Sequence, residues 1–283
     1  MYLIIAILVV CAIFFMGVML IDGNRFHIVE YKIESKKIIK NSKMVLLSDL
    51  HNKSYGKDNE RLLHAIEEQN PEAILIAGDM LTSKAGEPMD TAIHLMQQLG
   101  KKYPIYYGMG NHESKIQIDL EKYGTMYEDY RNALAKEHIE LMRNARAFLP
   151  MYNIDICGLE LEYCYFKKFH PTALHKEDLE CLIGKADKDA FQILIAHNPE
   201  YIEQYADWGA DLVLSGHIHG GVMRLPVLGG VISPSFRLFP KYDGGMFREK
   251  NTTLLLSRGL GMHTIPIRIF NPGELIVIHL NKK

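Results

Sequence analysis

The chain has 283 residues, 48% hydrophobic and 23% charged, with 32 Lys plus Arg against 34 Asp plus Glu and a formal net charge of -2. Such proportions exclude a disordered or collagen-like chain, and the balanced charge speaks against a nucleic-acid binder, which needs a cationic excess. Cys11, Cys157, Cys164 and Cys181 include no C-x-x-C pair. They indicate neither a disulfide scaffold nor a zinc knuckle, and read as buried small apolar side chains.

Residues 1–21 carry no charged side chain. At 1.5 Å rise per residue, about 21 helical residues reach roughly the ~30 Å of a hydrocarbon core. No Lys or Arg precedes the run and no A-x-A-like site follows it, so residues 1–22 are predicted as an uncleaved membrane anchor, single-pass, and not a signal peptide. Arg25, Lys32, Lys36, Lys37 and Lys40 follow closely. The positive-inside rule then puts the main domain on the cytoplasmic side, with the extracytoplasmic side as the alternative. An odd number of cysteines outside the anchor fits a reducing compartment.

Residues 23–42 read as a connecting segment with a first strand, and residues 43–283 as one domain. Short β-rich runs alternate with amphipathic stretches, the pattern of a layered α/β or α+β domain. Strands are predicted at 44–47, 73–77, 105–108, 154–159, 193–196, 212–214, 253–257 and 275–280. Helices are predicted at 59–69, 89–99, 126–136, 176–183 and 200–205, with Asp58 capping the first. Residues 223–247, rich in Gly and Pro, read as hairpins and loops.

The strand ends carry the chemistry. The run at 44–47 leads into Ser48, Asp49, Leu50 and His51; that at 73–77 into Gly78 and Asp79; that at 105–108 reaches Gly110, Asn111, His112 and Glu113. In the second half, 193–196 leads into His197 and Asn198, and 212–214 into Ser215, Gly216, His217, Ile218, His219, Gly220 and Gly221. Ligands of open α/β sheets bind at the carboxyl ends of strands, where such loops converge. Singly these signals are weak, because a D-x-H arises by chance and a lone histidine after a strand is usually structural. Together they define a metal centre of oxygen and imidazole donors without thiolate, suited to Mn, Fe or Zn. So many donors from separate loops are too many for one ion and fit two sharing a carboxylate.

In order and spacing, D-x-H, G-D, G-N-H-E, a histidine after a strand and G-H-x-H over residues 49–219 resemble the calcineurin-like metallophosphoesterase superfamily. The anchor, the glycine pair after His219, and Ser257, Arg258, Gly259, Leu260 and Gly261 followed by Pro266, Ile267 and Arg268 resemble its membrane-anchored branch, which includes the YkuE-like phosphohydrolases and UDP-2,3-diacylglucosamine pyrophosphatases. The resemblance implies a four-layer α/β (α+β) sandwich of two mixed β-sheets flanked by helices, added to the N-terminal transmembrane helix. It implies two divalent or trivalent ions, one held by Asp49, His51 and His219, the other by Asn111, His197 and His217, with Asp79 bridging and a hydroxide between them as nucleophile. His112 matches the non-ligand histidine that protonates the leaving group or holds a phosphate oxygen, with Glu113 tuning it. The sequence departs from the pattern at Thr82, where a second Asp is frequent, and at Glu113, where Asp is usual.

Asn198 is expected to support the neighbouring ligand or to contact phosphate, and further substrate contacts are expected from Arg224, Arg237 or Lys241 in a rim formed by residues 223–247 and from His263, whose loop the resemblance brings near the centre. Leu225, Val227, Phe236, Leu238 and Phe239 of that rim would accept an acyl chain or touch a bilayer; the plain alternative is a structural hairpin. His64 and His94 fall within helices, and His27, His138, His170, His175 and His279 lack metal-capable neighbours. The expected function is a membrane-anchored, metal-dependent phosphodiesterase or pyrophosphatase acting on a phosphate-containing small molecule or a lipid-linked nucleotide such as UDP-2,3-diacylglucosamine. Its alternatives are a phosphomonoesterase or phosphoprotein phosphatase with the same centre, and a catalytically silent scaffold. No nucleic-acid partner is expected.

Overall fold

The continuous apolar runs become strands covered on both faces. In the computed structural model, which describes residues 1–167, 172–221, 223–225, 228–232, 238–262 and 266–283, the elements follow in this order. Helix α1 (Tyr2–Asp22) precedes β1 (Phe26–Ser35), β2 (Ser42–Leu47), α2 (Glu60–Gln69), β3 (Ala73–Ala77), α3 (Asp90–Gly100), β4 (Ile105–Gly108), α4 (Asn111–Ile118), α5 (Leu120–Tyr123), α6 (Met126–Ala135) and β5 (Leu141–Met142). Then come β6 (Ala145–Leu149), β7 (Ile154–Leu159), α7 (Lys176–Ile183), β8 (Phe191–Ala196), α8 (Ile202–Trp208), β9 (Leu212–Ser215), β10 (Arg224–Leu225), β11 (Gly229–Gly230), β12 (Gly245–Glu249), β13 (Thr252–Leu256) and β14 (Gly273–Lys282).

Two six-stranded sheets form, in the orders β1-β14-β2-β3-β4-β5 and β12-β13-β9-β8-β7-β6. Both are mixed: β14 runs antiparallel to β2 in the first, and β12 to β13 and β6 to β7 in the second. Alternate residues of each strand point to opposite faces. Met44 and Leu46 of β2 therefore join Ile193 and Ile195 of β8 in the core between the sheets. Their neighbours Val45 and Leu47 pack under α2, α3 and α6, while Leu194 and Ala196 pack under α7 and α8. The result is helix, sheet, sheet, helix, the four layers expected. Strands β2, β3 and β4 are mutually parallel, as are β7, β8, β9 and β13. Their carboxyl ends converge on one edge of the sandwich.

Several boundaries differ from expectation. Asp58 is left-handed at φ 53° and does not cap α2; Asn59 precedes the helix, and its side chain instead holds the preceding loop by accepting from Tyr55 N at 2.9 Å. Residues 200–205 divide into a 3-10 turn, Pro199–Tyr201, and α8. Helix α4 starts at Asn111, where the sequence suggested only a loop. Of the cysteines only Cys157 is fully buried. Cys11 lies on α1, which no protein layer covers there, and Cys181 on the outward side of α7, so the expected burial fails for both.

Helix α1 is long and apolar enough to cross a membrane, and its apolar length is not buried by the domain. Its foot is fastened. Asp22 is buried, pairs with Arg25 at 2.7 Å and accepts from Asn271 N at 3.1 Å.

Candidate metal centre

Five of the seven expected ligands, Asp49, His51, Asp79, His217 and His219, have positive φ, between 49° and 74°. Asp and His tolerate the left-handed region better than most side chains, and such backbone persists where the surrounding structure fixes it, commonly at functional sites. What fixes it here is close backbone packing. A side chain at Gly110 would overlap the Asp79 carboxylate, and one at Gly216 would overlap Ser48 Oγ and the Asp49 carboxylate. Each carboxylate is also held by the loop of another strand: His217 N, after β9 of the second sheet, donates to Asp49 Oδ1 at 3.0 Å, and His112 N, after the adjacent β4, to Asp79 Oδ1 at 2.8 Å.

These loops bring Asp49, His51 and His219 into one cluster and Asp79, His197 and His217 into another, each offering ligand atoms within 4.8 Å of one another. Asp79 stands between them, with Oδ2 3.1 Å from His197 Nε2 and 4.0 Å from His51 Nε2. The donor set fits metal ions on the structure's own terms. Asn111 Oδ1 is buried with no hydrogen-bond partner among the described residues, and the Nε2 atoms of His51 and His219 face each other at 3.1 Å. A cation answers both arrangements, because it takes the Asn111 oxygen as a ligand and can sit between two imidazole nitrogens that without it must share a proton.

The electrostatics point the same way. Burial pushes the Asp49 carboxyl up to about 6, despite the opposing pull of His197. Burial also pushes Asp79 up, but His197, His112 and His51 outweigh it and leave that carboxyl well below the usual range. Burial lowers His197, yet Asp79 and Asp49 raise it more, to about 10. The protein thus stabilises positive charge at the point where the two carboxylates meet, the charge that a metal ion would supply in place of the proton.

Two histidines of the centre are set in opposite senses by backbone atoms. His197 Nδ1 lies 2.5 Å from Ala77 O, which accepts only, so Nδ1 keeps a proton in either charge state, and the second proton of the imidazole, whose pKa is raised, sits on Nε2, 3.1 Å from Asp79 Oδ2. His112 Nδ1 accepts from Ser83 N at 2.8 Å, so in the neutral ring its proton sits on Nε2, 3.9 Å from Asp79 Oδ2. Burial lowers the His112 pKa, favouring this neutral form. His197 is thereby prepared as a ligand and His112 as a hydrogen-bond donor.

Glu113 does other work than the tuning of His112 expected from sequence. Its Oε2 accepts from Asp79 N at 2.9 Å and Gly110 N at 3.1 Å; its Oε1 accepts from Met80 N at 2.9 Å and Tyr107 Oη at 2.8 Å. It ties the loop after β3 to the start of α4. Burial, then the charge of Asp79, pushes its carboxyl up to about 7.

The residues expected to contact substrate have protein partners where they are described. Asn198 is buried, accepts from Glu200 N at 3.0 Å and donates to Tyr165 O at 2.9 Å, so its amide caps the following turn. Arg224 pairs with Asp243 at 3.1 Å and donates to Gly220 O at 3.0 Å, bracing the loop that carries His219. Lys241 lies 3.9 Å from Glu249 on the surface. Arg237 and His263, with Val227, Phe236 and His170, lie outside the described residues. Leu238 and Phe239 are exposed and Leu225 is half-buried. Away from the centre, His64 pairs with Glu68, His279 with Glu30, and His94 with Gln98.

Other supports were missed from sequence. Ser48 Oγ donates to Asp49 Oδ2 at 2.6 Å, and Phe166 sets its ring edge-on to His217, with centroids 5.4 Å apart. Asn271 Nδ2 donates to His219 O at 2.7 Å and Gly221 O at 2.6 Å. The buried Arg268 donates to the carbonyls of Arg258, Gly259, Gly261 and Asn271. Arg268 was noticed only as part of a late motif; a buried arginine in a glycine-rich loop is the signal that would have singled it out.

Residues 42–221, the span that holds all these strand-end ligands, match the calcineurin-like phosphoesterase family, and the chain belongs to it. The chain is accordingly a metal-dependent phosphoesterase. It is 27% identical over 244 residues to the metallophosphoesterase YkuE of Bacillus subtilis, covering 84% of this chain and 78% of that protein. It is likewise 27% identical over 249 residues to a transmembrane protein with metallophosphoesterase domain from Danio rerio, covering 85% of this chain but only 53% of that protein. Among solved structures, TT1561 of Thermus thermophilus aligns over 77% of this chain and 89% of its own, with 11% identity and a TM-score of 0.47.

Proposed function

We propose that the chain is a membrane-anchored phosphoesterase that uses two metal ions to hydrolyse phosphodiester or pyrophosphate bonds, including those of lipid-linked nucleotides such as UDP-2,3-diacylglucosamine. Asp49, His51 and His219 hold one ion, Asn111, His197 and His217 the other, and Asp79 serves both. The observation that carries this reading is the shared position of Asp79, one carboxylate within reach of histidines from both clusters. When bound, two such ions neutralise phosphoryl oxygens and lower the pKa of water from 15.7 to about 7.

The chain's own residues supply the rest. His112 donates its Nε2–H to a phosphoryl or leaving-group oxygen, where negative charge grows as the ester bond breaks. Ser83 N–H fixes that tautomer, and Glu113 holds the loops of Asp79 and His112 in register. Holding an oxygen suits the neutral ring better than full proton transfer, because a neutral imidazole is a poor acid.

Helix α1 favours a substrate at the membrane, since tethering raises the effective concentration of membrane-borne esters. The relative named as a transmembrane protein fits the same reading. Arg25, Lys32, Lys36, Lys37 and Lys40 favour the cytoplasmic side for the domain.

The test is to purify the full chain in detergent, load it with Mn, Fe or Zn, measure bound metal, and compare bis-p-nitrophenyl phosphate with p-nitrophenyl phosphate. Two ions per chain and faster diester hydrolysis are expected. Faster monoester hydrolysis would give the phosphomonoesterase alternative, and a loaded protein inert to both would leave a silent scaffold.

A further inference from the structure

Beside the cluster lies a cleft of ≈ 690 Å³, whose described lining includes His51, His112, Lys53, Lys84, Lys115 and Met262. Its inner end is formed by the His51 and His112 rings, with centroids 4.7 Å apart. Its outer end is the foot of α1. Lys53 Nζ donates to Asn24 Oδ1 at 3.0 Å, and Met262 packs on Gly23, its Sδ 3.6 Å from where a Cβ there would stand. The cleft therefore runs from the donor of the proposed chemistry to the point where the apolar helix meets the domain.

Its charge is one-sided. Lys53, Lys84 and Lys115 face a single lining carboxylate, Glu87, whose Oε2 is 3.4 Å from Lys84 Nζ. Lys115 Nζ lies over the Tyr163 ring, 5.1 Å from its centroid. Three lysines against one glutamate leave two positive charges in excess beside a site already built for phosphate. Above the foot of α1 the surface is apolar: Phe270, 42% exposed, meets Phe15 of the helix with centroids 6.4 Å apart.

We propose that this cleft is a subsite for a second phosphate-bearing group of the substrate, on a membrane-resident molecule that enters past the foot of α1. The proposal rests on the phosphoesterase reading and deepens it. With α1 in a bilayer, Gly23 and Asn24 lie at the headgroup level, so a lipid headgroup can fill the cleft while its chains remain beside α1. A lone phosphodiester would leave the lysines unused; a diphosphate headgroup places one phosphate at His112 and the other among Lys53, Lys84 and Lys115.

The test uses the full chain, metal-loaded, in phosphatidylcholine nanodiscs, with bis-p-nitrophenyl phosphate, ADP-ribose as a soluble diphosphate, and CDP-diacylglycerol as a lipid-borne one. The wild type is expected to show its highest kcat/KM on the lipid diphosphate. Lys53→Ala, Lys84→Ala and Lys115→Ala are each expected to lower that value by about three- to tenfold, the size of a partly exposed charge contact. The loss on both diphosphates should exceed that on bis-p-nitrophenyl phosphate. Calorimetric binding of ADP to the metal-free chain should weaken by a similar factor, a readout independent of turnover. Equal losses on all three substrates, or none on the diphosphates, would overturn the subsite. Preference of the wild type for ADP-ribose over the lipid would overturn the membrane-resident occupant. Failure of the loaded wild type on all three would remove the phosphoesterase reading itself, a different result from an active enzyme insensitive to its lysines.

Discussion

Replacing Glu113 separates a bracing carboxylate from a merely buried one. In Glu113→Ala the main-chain N–H groups of Asp79, Met80 and Gly110 lose their acceptor, whereas Tyr107 keeps Tyr130 Oη at 3.0 Å. Each orphaned buried donor costs about 1–3 kcal/mol, and water entering the vacated space recovers part of that, so the loss should be about 3–6 kcal/mol. A typical domain has only about 5–15 kcal/mol in hand. Glu113→Gln should cost less, about 1–3 kcal/mol. Its oxygen can keep Asp79 N and Gly110 N, the Tyr107 hydroxyl can turn to accept from the new amide, and only Met80 N is left opposite a donor. Removing the charge also relieves the repulsion from Asp79 that helps push the Glu113 carboxyl up to about 7. Urea unfolding read from the single tryptophan, Trp208, measures all three proteins. Bound metal should fall in the same order, because the loops that shift carry Asp79 and Asn111. An alanine variant within about 1 kcal/mol of wild type, or a glutamine variant as weak as alanine, would refute the hydrogen-bond accounting.

Three further outcomes can be checked. His112→Ala should retain its metal while turnover falls about 10²–10³-fold, the usual loss of one well-placed donor, and least for esters with good leaving groups; unchanged turnover would remove His112 from the chemistry. Chelation should lower the midpoint of thermal unfolding, and restoring metal at about 1,000 times its dissociation constant should return about 4 kcal/mol; a midpoint indifferent to chelator would mean that the left-handed ligand loops hold themselves. Asn271→Ala, which removes the donor to His219 O and Gly221 O, should weaken metal binding more than it slows the fully loaded enzyme; the opposite split in titrated activity would count against a positioning role.

The candidate ligands were legible because their types are rare choices just after buried strands. Asp49, Asp79, His197, His217 and His219 follow runs whose alternate residues must fill two different cores, so the strand ends could be read to within a residue or two. Helix α4 was hidden because Asn111 to Ile118 shows no apolar stripe; its start is set by Glu113 reaching back to Gly110 N. Strand β1 could be placed only loosely within residues 23–42, because it lies at a sheet edge with most of its residues partly or fully exposed. Asn198 and Arg224 both brace loops, and sequence left open whether they do so or face substrate, because a polar residue beside a candidate ligand looks the same in either case.

The motif order set His197 apart from His112, but the proton positions on their rings left no signature in the sequence. What sets them is the main-chain atom that each Nδ1 meets, a carbonyl at Ala77 and an amide at Ser83. Every residue except proline carries both kinds of atom, so these main-chain contacts name no residue type, although the Ser83 hydroxyl also lies 2.9 Å from His112 Nδ1. Two histidines following similar strands are thus given opposite roles at Nδ1 by register and loop path. In this fold, whether Nδ1 of each of these histidines donates or accepts is decided by backbone geometry that a pattern of side chains does not record.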